Sequence, residues 1–310
     1  LEWLGQTRYK PAGFYPTIAS TLSRLLMIRN AARRVVFIAS LGHSGSTLLD
    51  LMLGGHPQFI GLGEIANVIA PSERADGRSA NPFCSCGETS DRCPFWSVVT
   101  ERLANEQPSS IARRYEVVFE TFESIFGTEV FPVDSSKYLP RLEILHEQLQ
   151  LDLRVLFLLK DVRAFTVSEL DNIARKRAVG VARRSTNSLA VFRNWYSTNT
   201  KLGDYLEREQ IPTFMLGYEE LCLAAEKMAR KICEFLQVPF CSSMLTLSES
   251  RSHVIRGNRM RNQSDKSALA YDHRWFRRHV WMLPALLCPR IMRYNRQHVY
   301  SNGLDSMWEQ

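Results

Sequence analysis

Residues 35–53 read VVFIASLGHSGSTLLDLML. Val35 to Ala39 is β-branched and apolar on both faces, the pattern of a strand buried in a parallel sheet. Ser40 to Ser46 is a loop of small residues, and Thr47 to Leu53 is an apolar helix stopped by Gly54-Gly55. A strand running through a glycine loop into a helix gathers backbone N–H groups and the positive end of the helix dipole at one point, which attracts phosphate or sulfate. Gly42 and Gly45 let the backbone curl around an anion, Ser46 and Thr47 add hydroxyl donors, and His43 offers a positive charge. With Ser44 these residues form a candidate anion loop; an ordinary tight strand–helix turn is the alternative. The Gly-Lys-Ser/Thr ending of a nucleoside-triphosphatase loop is missing, so no lysine here reaches a terminal phosphate.

Beyond this stretch, further strands are expected at Phe59–Gly61, Glu129–Asp134, Leu153–Leu159 and Pro212–Leu216. Helical patterns cover Tyr15–Ile28, Ser97–Phe126, Leu139–Leu149, Ala164–Arg177, Ser188–Gln210 and Leu221–Leu236. Strands separated by helices predict an α/β fold, a three-layer α/β/α sandwich around a central parallel sheet. No repeat or linker interrupts it. A single domain over 1–310 is expected, with a core at 35–261, a Cys-containing excursion at 71–96 and an irregular C-terminal cover at 250–310.

The chain has 310 residues, 45% of them apolar and 23% charged, a globular make-up that excludes a disordered or fibrous protein. Its net charge of +7 favours an anionic partner. Acidic residues lie between the basic ones, which points to a phosphorylated ligand and not to nucleic acid. Arg175-Lys176-Arg177 and Arg183-Arg184 attract an acidic acceptor or form a solvated helix end. The best apolar run, Trp281 to Cys288, stops at Pro289, too short to span a bilayer, and no signal peptide is seen. Seven cysteines, mostly scattered, suit a reducing, cytoplasmic setting. Cys84, Cys86 and Cys93 cluster, but no fourth Cys or nearby His completes a tetrahedral set, His56 being a long loop away. Buried thiols or a disulfide are expected there, and no metal.

The run GHSGSTLL, continuing through LLDLMLGGHPQFIGLGE, resembles the 5'-phosphosulfate loop of sulfotransferases that use 3'-phosphoadenosine 5'-phosphosulfate (PAPS), the tyrosylprotein and carbohydrate enzymes above all. Those proteins carry Arg or Lys where this chain has His43. LFLLKDVRAFTVSEL resembles the family's 3'-phosphate segment, with Lys160 at its first Arg position and Ser168 at its Ser position. HVIRGNRMR is similar to a C-terminal nucleotide-covering segment of bacterial sulfotransferases, making Asn258, Arg259 and Arg261 candidate PAPS contacts.

The resemblance implies transfer of a sulfuryl group to a hydroxyl-bearing acceptor (tyrosyl, sugar or small alcohol), leaving adenosine 3',5'-bisphosphate. Glu64 stands where tyrosylprotein sulfotransferases place their catalytic Glu, and is the candidate base; its alternative role is to cap a helix over Ile65–Ala70. Lys137, in Asp134-Ser135-Ser136-Lys137, and His43 are the candidate cations for the leaving phosphate, and an imidazole beside anionic oxygens is expected to have a raised pKa. Two rival readings stay open. One is a P-loop kinase or phosphotransferase with Asp161 holding magnesium in a Walker-B-like role; the other is a non-catalytic nucleotide-binding protein.

Overall fold

A computed structural model of the chain describes residues 32–70, 83–178, 180, 186–255 and 271–303. The helix expected over Tyr15–Ile28 and the segment holding Asn258, Arg259 and Arg261 lie outside the described residues, as do 71–82 of the excursion and Arg183-Arg184. The chain divides between Arg33 and Arg34, and Arg34–Gln310 packs as one compact unit.

The strands are β1 (Arg33–Ser40), β2 (Phe59–Gly61), β3 (Phe131–Lys137), β4 (Leu151–Leu159) and β5 (Thr213–Gly217). They form one parallel sheet in the order β2-β3-β1-β4-β5. The helices are α1 (Ser46–Gly54), α2 (Ala66–Ile69), α3 (Trp96–Glu106), α4 (Ile111–Phe126), α5 (Leu139–Gln148), α6 (Val162–Ala178), α7 (Ser188–Arg208), α8 (Tyr218–Leu223), α9 (Ala225–Leu236), α10 (Met282–Leu287) and α11 (Pro289–Val299).

The period-two alternation of a strand makes the three layers. Val35, Phe37 and Ala39 of β1 and Val155, Phe157 and Leu159 of β4 enter one core with Trp96, Phe119, Leu142, Phe165 and Trp195 from α3 to α7. Val36, Ile38, Leu156 and Leu158 point the other way, into a core with α1, α8 and α9. Helix α1 is buried along its whole length, which explains why its sequence is apolar almost all round.

The sequence places most elements within a few residues, with two corrections. The strand expected over Glu129–Asp134 runs from Phe131 to Lys137, with Asp134-Ser135-Ser136-Lys137 as its last four residues. The pairing with β1 steps from Phe37↔Asp134 to Ala39↔Lys137, so β3 carries one extra residue there, a bulge that re-aims Lys137 and the turn after it. The C-terminal cover is also more regular than composition suggests. It holds α10 and α11, the second opening on Pro289, where proline's missing N–H costs no helical bond.

Because β3 and β2 lie on one side of β1 and β4 and β5 on the other, the chain reverses direction across the sheet beside β1. At such a switch point the loops leaving the carboxyl ends of adjacent strands part and form a crevice.

Candidate active site

The crevice receives the ends of three neighbouring strands. From β1 comes the loop Leu41–Gly45, from β3 comes Lys137, and from β4 comes Lys160. Gly45 is the N-cap of α1 at φ 96, and no side chain caps that helix. A helix N-terminus without a side-chain cap suits an anion, which the helix dipole and first-turn N–H groups attract. Ser44, Ser46 and Thr47 are buried, Gly42, His43 and Gly45 partly so, and the buried Ser40 hydroxyl has no partner among the described residues.

Glycine is required at Gly45 twice over. Its φ is left-handed, and a Cβ would lie 2.5 Å from the Tyr218 ring. Tyr218 in turn lies under the Lys160 ammonium, 4.7 Å from ring centre to Nζ.

Lys160 and Ser168 meet as expected, Nζ to Oγ 3.2 Å, both buried. The ammonium also lies 3.4 Å from Asp272, a partner that sequence reading did not propose. Asp272 is held well below the usual carboxylate range, first by its Arg274 bonds and then by Lys160.

Glu64 and Lys137 form an ion pair, and the other Glu64 oxygen accepts from the Asn67 amide. The helix-cap alternative does not fit: α2 has no side-chain cap, and no backbone amide of that helix is bonded to the Glu64 carboxylate. Lys137 has φ 73 and His43 φ 68. The other non-glycine residues with positive φ among the described ones, Gln107, Gln210 and Gln237, follow helix ends, where the left-handed turn is routine. Strain apart from helix ends thus falls on two candidate site residues.

His43 departs from expectation. Burial and then the positive charges of Lys137, Lys176, Arg175 and Lys160 hold its imidazole down to about 4. Glu169 is 3.7 Å away, too far for a hydrogen bond and not enough to reverse the effect. The expected rise would have to come wholly from a bound anion, and the protein alone presents a neutral ring. Tyr138 completes the rim, its hydroxyl beside Gly42, where a Cβ would approach it to 3.3 Å. Tyr138 is exposed, and its signal in the sequence was an aromatic directly after a candidate lysine.

The magnesium role of Asp161 is contradicted. Its buried carboxylate accepts from Arg163 N (2.8 Å), Nε (2.9 Å) and Nη2 (2.7 Å), from Asn295 Nδ2 (2.9 Å) and from Tyr300 Oη (2.9 Å). Burial alone would raise its pKa, yet the Arg163 contacts hold it below the ordinary value. A carboxylate so saturated is a knot tying β4 and α6 to α11, with no lone pair turned to a metal. Beneath Glu64, Asp50 of α1 accepts from Gly63 N at 3.1 Å and is pushed up to about 7, chiefly by burial. Gly61 must stay bare, since a Cβ would fall 1.8 Å from Asp50 Oδ1.

The cysteine cluster also needs correction. The sequence showed no histidine near it, but the fold brings His253 to Cys84, Cys86 and Cys93. No disulfide joins them: Sγ of Cys84 and Cys93 are 3.6 Å apart, against about 2.0 Å in a bond.

Comparison with known proteins gives one family. The model described as the sulfotransferase family matches residues 35–242, more than half of the chain. No curated protein matches it. Solved structures similar to it include the sulfotransferase domain from the curacin biosynthetic pathway, at 18% identity and TM-score 0.49, covering 83% of this chain and 91% of that one. Another is the sulfotransferase domain from the Synechococcus PCC 7002 olefin synthase, at 18% and 0.43, covering 82% and 87%. A third is mouse sulfotransferase SULT7A1 complexed with PAP, at 10% and 0.48, covering 88% and 87%.

Proposed function

The chain belongs to the sulfotransferase family, and on that premise we propose that it moves the sulfuryl group of PAPS to a hydroxyl of a tyrosyl, sugar or small-alcohol acceptor. The observation that carries the donor's identity is the contact of Lys160 Nζ with Ser168 Oγ, 3.2 Å, at the strand end beside the glycine loop. A buried ammonium and a hydroxyl converging on one spot suit a phosphate, and a second anion station next to the loop suits a nucleotide carrying phosphates at both ends. Gly42, Ser44, Gly45, Ser46 and Thr47 take the 5'-phosphosulfate; Lys160 and Ser168 take the 3'-phosphate. Asn258, Arg259 and Arg261 are proposed to close over the nucleotide.

In the transfer, the acceptor oxygen attacks sulfur opposite the 5'-phosphate. An O–S bond forms to the acceptor while the S–O bond to the phosphate breaks, and the hydroxyl proton passes to Glu64. The Glu64 carboxylate is suited to this because its bonds to Lys137 and Asn67 use only part of its acceptor capacity. Charge growing on the leaving phosphate meets Lys137 and the first-turn amides of α1. His43 contributes as a neutral N–H donor.

One set of variants tests the reading. Adenosine 3',5'-bisphosphate should raise the Tm of the wild type where ATP with magnesium does not, because a ligand specific to the native state stabilises it. Lys160→Ala should abolish that rise. Glu64→Gln should keep it while cutting sulfate transfer to a panel of hydroxyl acceptors, read by mass gain, by about 10²- to 10⁴-fold. Equal shifts with both nucleotides, or full activity in Glu64→Gln, would refute the assignment.

A further inference from the structure

The segment 83–96 folds as a knuckle against 252–254, and the two are stitched by backbone. Cys84 N donates to Glu88 O (2.7 Å) and Gly87 N to Cys84 O (3.0 Å), with Gly87 at φ 97 making the tight turn. Ser85 N donates to Val254 O (3.0 Å), Val254 N donates to Ser85 Oγ (2.8 Å), and the Trp96 indole donates to His253 O. This stitching carries three sulfurs and an imidazole to one point. Their ligand atoms all lie within 4.8 Å of one another, with Cys84, Cys93 and His253 buried and Cys86 at the surface.

We propose that Cys84, Cys86, Cys93 and His253 form a structural zinc site. The spacing fits the ion. Zinc bonds of about 2.3 Å to sulfur and about 2.0–2.1 Å to nitrogen put tetrahedral corners about 3.8 Å apart for sulfur–sulfur and about 3.6 Å for sulfur–nitrogen. The observed edges are 3.6 Å for Cys84–Cys93, 3.3 Å for Cys93 to His253 Nδ1 and 3.8 Å for Cys84 to His253 Nδ1. Three thiolates and one imidazole are soft-to-borderline ligands that select zinc over magnesium or calcium, and a complete protein set leaves no open position for catalysis. Support beyond the ligands is present as well: Trp96 N donates to Cys93 Sγ at 3.5 Å, and Phe95 and Phe126 flank the His253 ring at 6.0 and 5.7 Å.

The ion's work is mechanical. His253 N donates to Gly61 O at 2.7 Å, at the end of β2, and from Gly61 the chain runs directly to Glu64. Zinc therefore clamps the knuckle and the 252–254 segment to the strand end that launches the candidate base.

The test is metal analysis of the full chain, purified under reducing conditions, supplied with zinc and desalted. About one zinc per chain is expected by mass spectrometry, retained in Cys222→Ser and lost in Cys93→Ser and in His253→Ala. Chelation should lower the wild-type Tm, and re-addition of zinc should restore it. Should the ligand variants not fold, chelated wild type refilled with cobalt(II) gives the answer: the intense visible bands of tetrahedral thiolate-bound cobalt are expected. A weak octahedral cobalt spectrum, zinc content unchanged in both ligand variants, or a wild type that binds no zinc with its thiols reduced would each overturn the proposal.

Discussion

At His43 two local costs coincide: a left-handed backbone at φ 68 and an imidazole surrounded by the ammonium and guanidinium groups of Lys137, Lys176, Arg175 and Lys160. With its pKa near 4, the ring is neutral throughout the physiological range and takes a proton only as pH falls below about 5. The alkaline loss of rate implied by a cationic histidine is thus not expected. Between pH 6 and 9 the His43 contribution should be flat. His43→Gln, which keeps a neutral donor, should retain kcat within about tenfold, whereas His43→Ala should lose more. The check is a pH–rate profile of wild type beside His43→Arg. A wild-type rate that falls above pH 7 while the arginine variant stays level would show that the bound donor makes the ring a cation after all.

Among elements, the junction of β1 with α1 bears the most direct prediction. Gly45→Ala meets both a left-handed φ and the Tyr218 ring, so the loop must move, at a cost of about 1–3 kcal/mol. Gly127→Ala is the control, since it shares a left-handed φ (82) but has nothing within 4 Å of its Cβ. Both variants should lose Tm, but only Gly45→Ala should lose the response to adenosine 3',5'-bisphosphate in calorimetry or thermal shift. An undiminished response would mean that the loop is not the anion cradle. The same junction explains what was legible in the sequence. The strand, the loop, α1 and the Lys160–Ser168 pair are local: spacing along a strand end and the following helix fixes which side chains meet. Lys137 and Glu64, by contrast, pair across 73 positions, and Cys93 and His253 meet across 160. No periodicity encodes such contacts; they come from sheet order and from a loop folding back on β2. The lowered His43 pKa was hidden for the same reason, because it comes first from burial in the folded crevice and then from charges on β3, on α6 and at the end of β4.

Over the whole molecule, the packing beneath the crevice buries carboxyl groups that resist ionisation. Burial is the main cause in each: Asp50 is pushed up to about 7, Asp134 to about 6 and Glu219 to about 8. An acid whose folded pKa exceeds its unfolded value binds its proton more tightly in the native state, so its contribution is full below about pH 4 and is lost as pH rises to the folded pKa. Asp161 and Asp272, held low by Arg163 and Arg274, act in the opposite sense and lose their contribution only in acid. The Tm should therefore decline from about pH 5 to about pH 8 and level off above it. Asp50→Asn isolates one contribution, since an amide keeps an acceptor for Gly63 N but cannot ionise. At pH 5 the variant should match the wild type within about 1 kcal/mol. Between pH 5 and 7 it should become the more stable by up to about 1.4 kcal/mol per pH unit, a gain of a few degrees in Tm that persists at pH 8. Calorimetric melts of the two proteins at pH 5, 6, 7, 8 and 9 decide it. Parallel curves would mean that Asp50 has the same pKa in the native as in the unfolded protein, and that the decline belongs to Asp134 and Glu219.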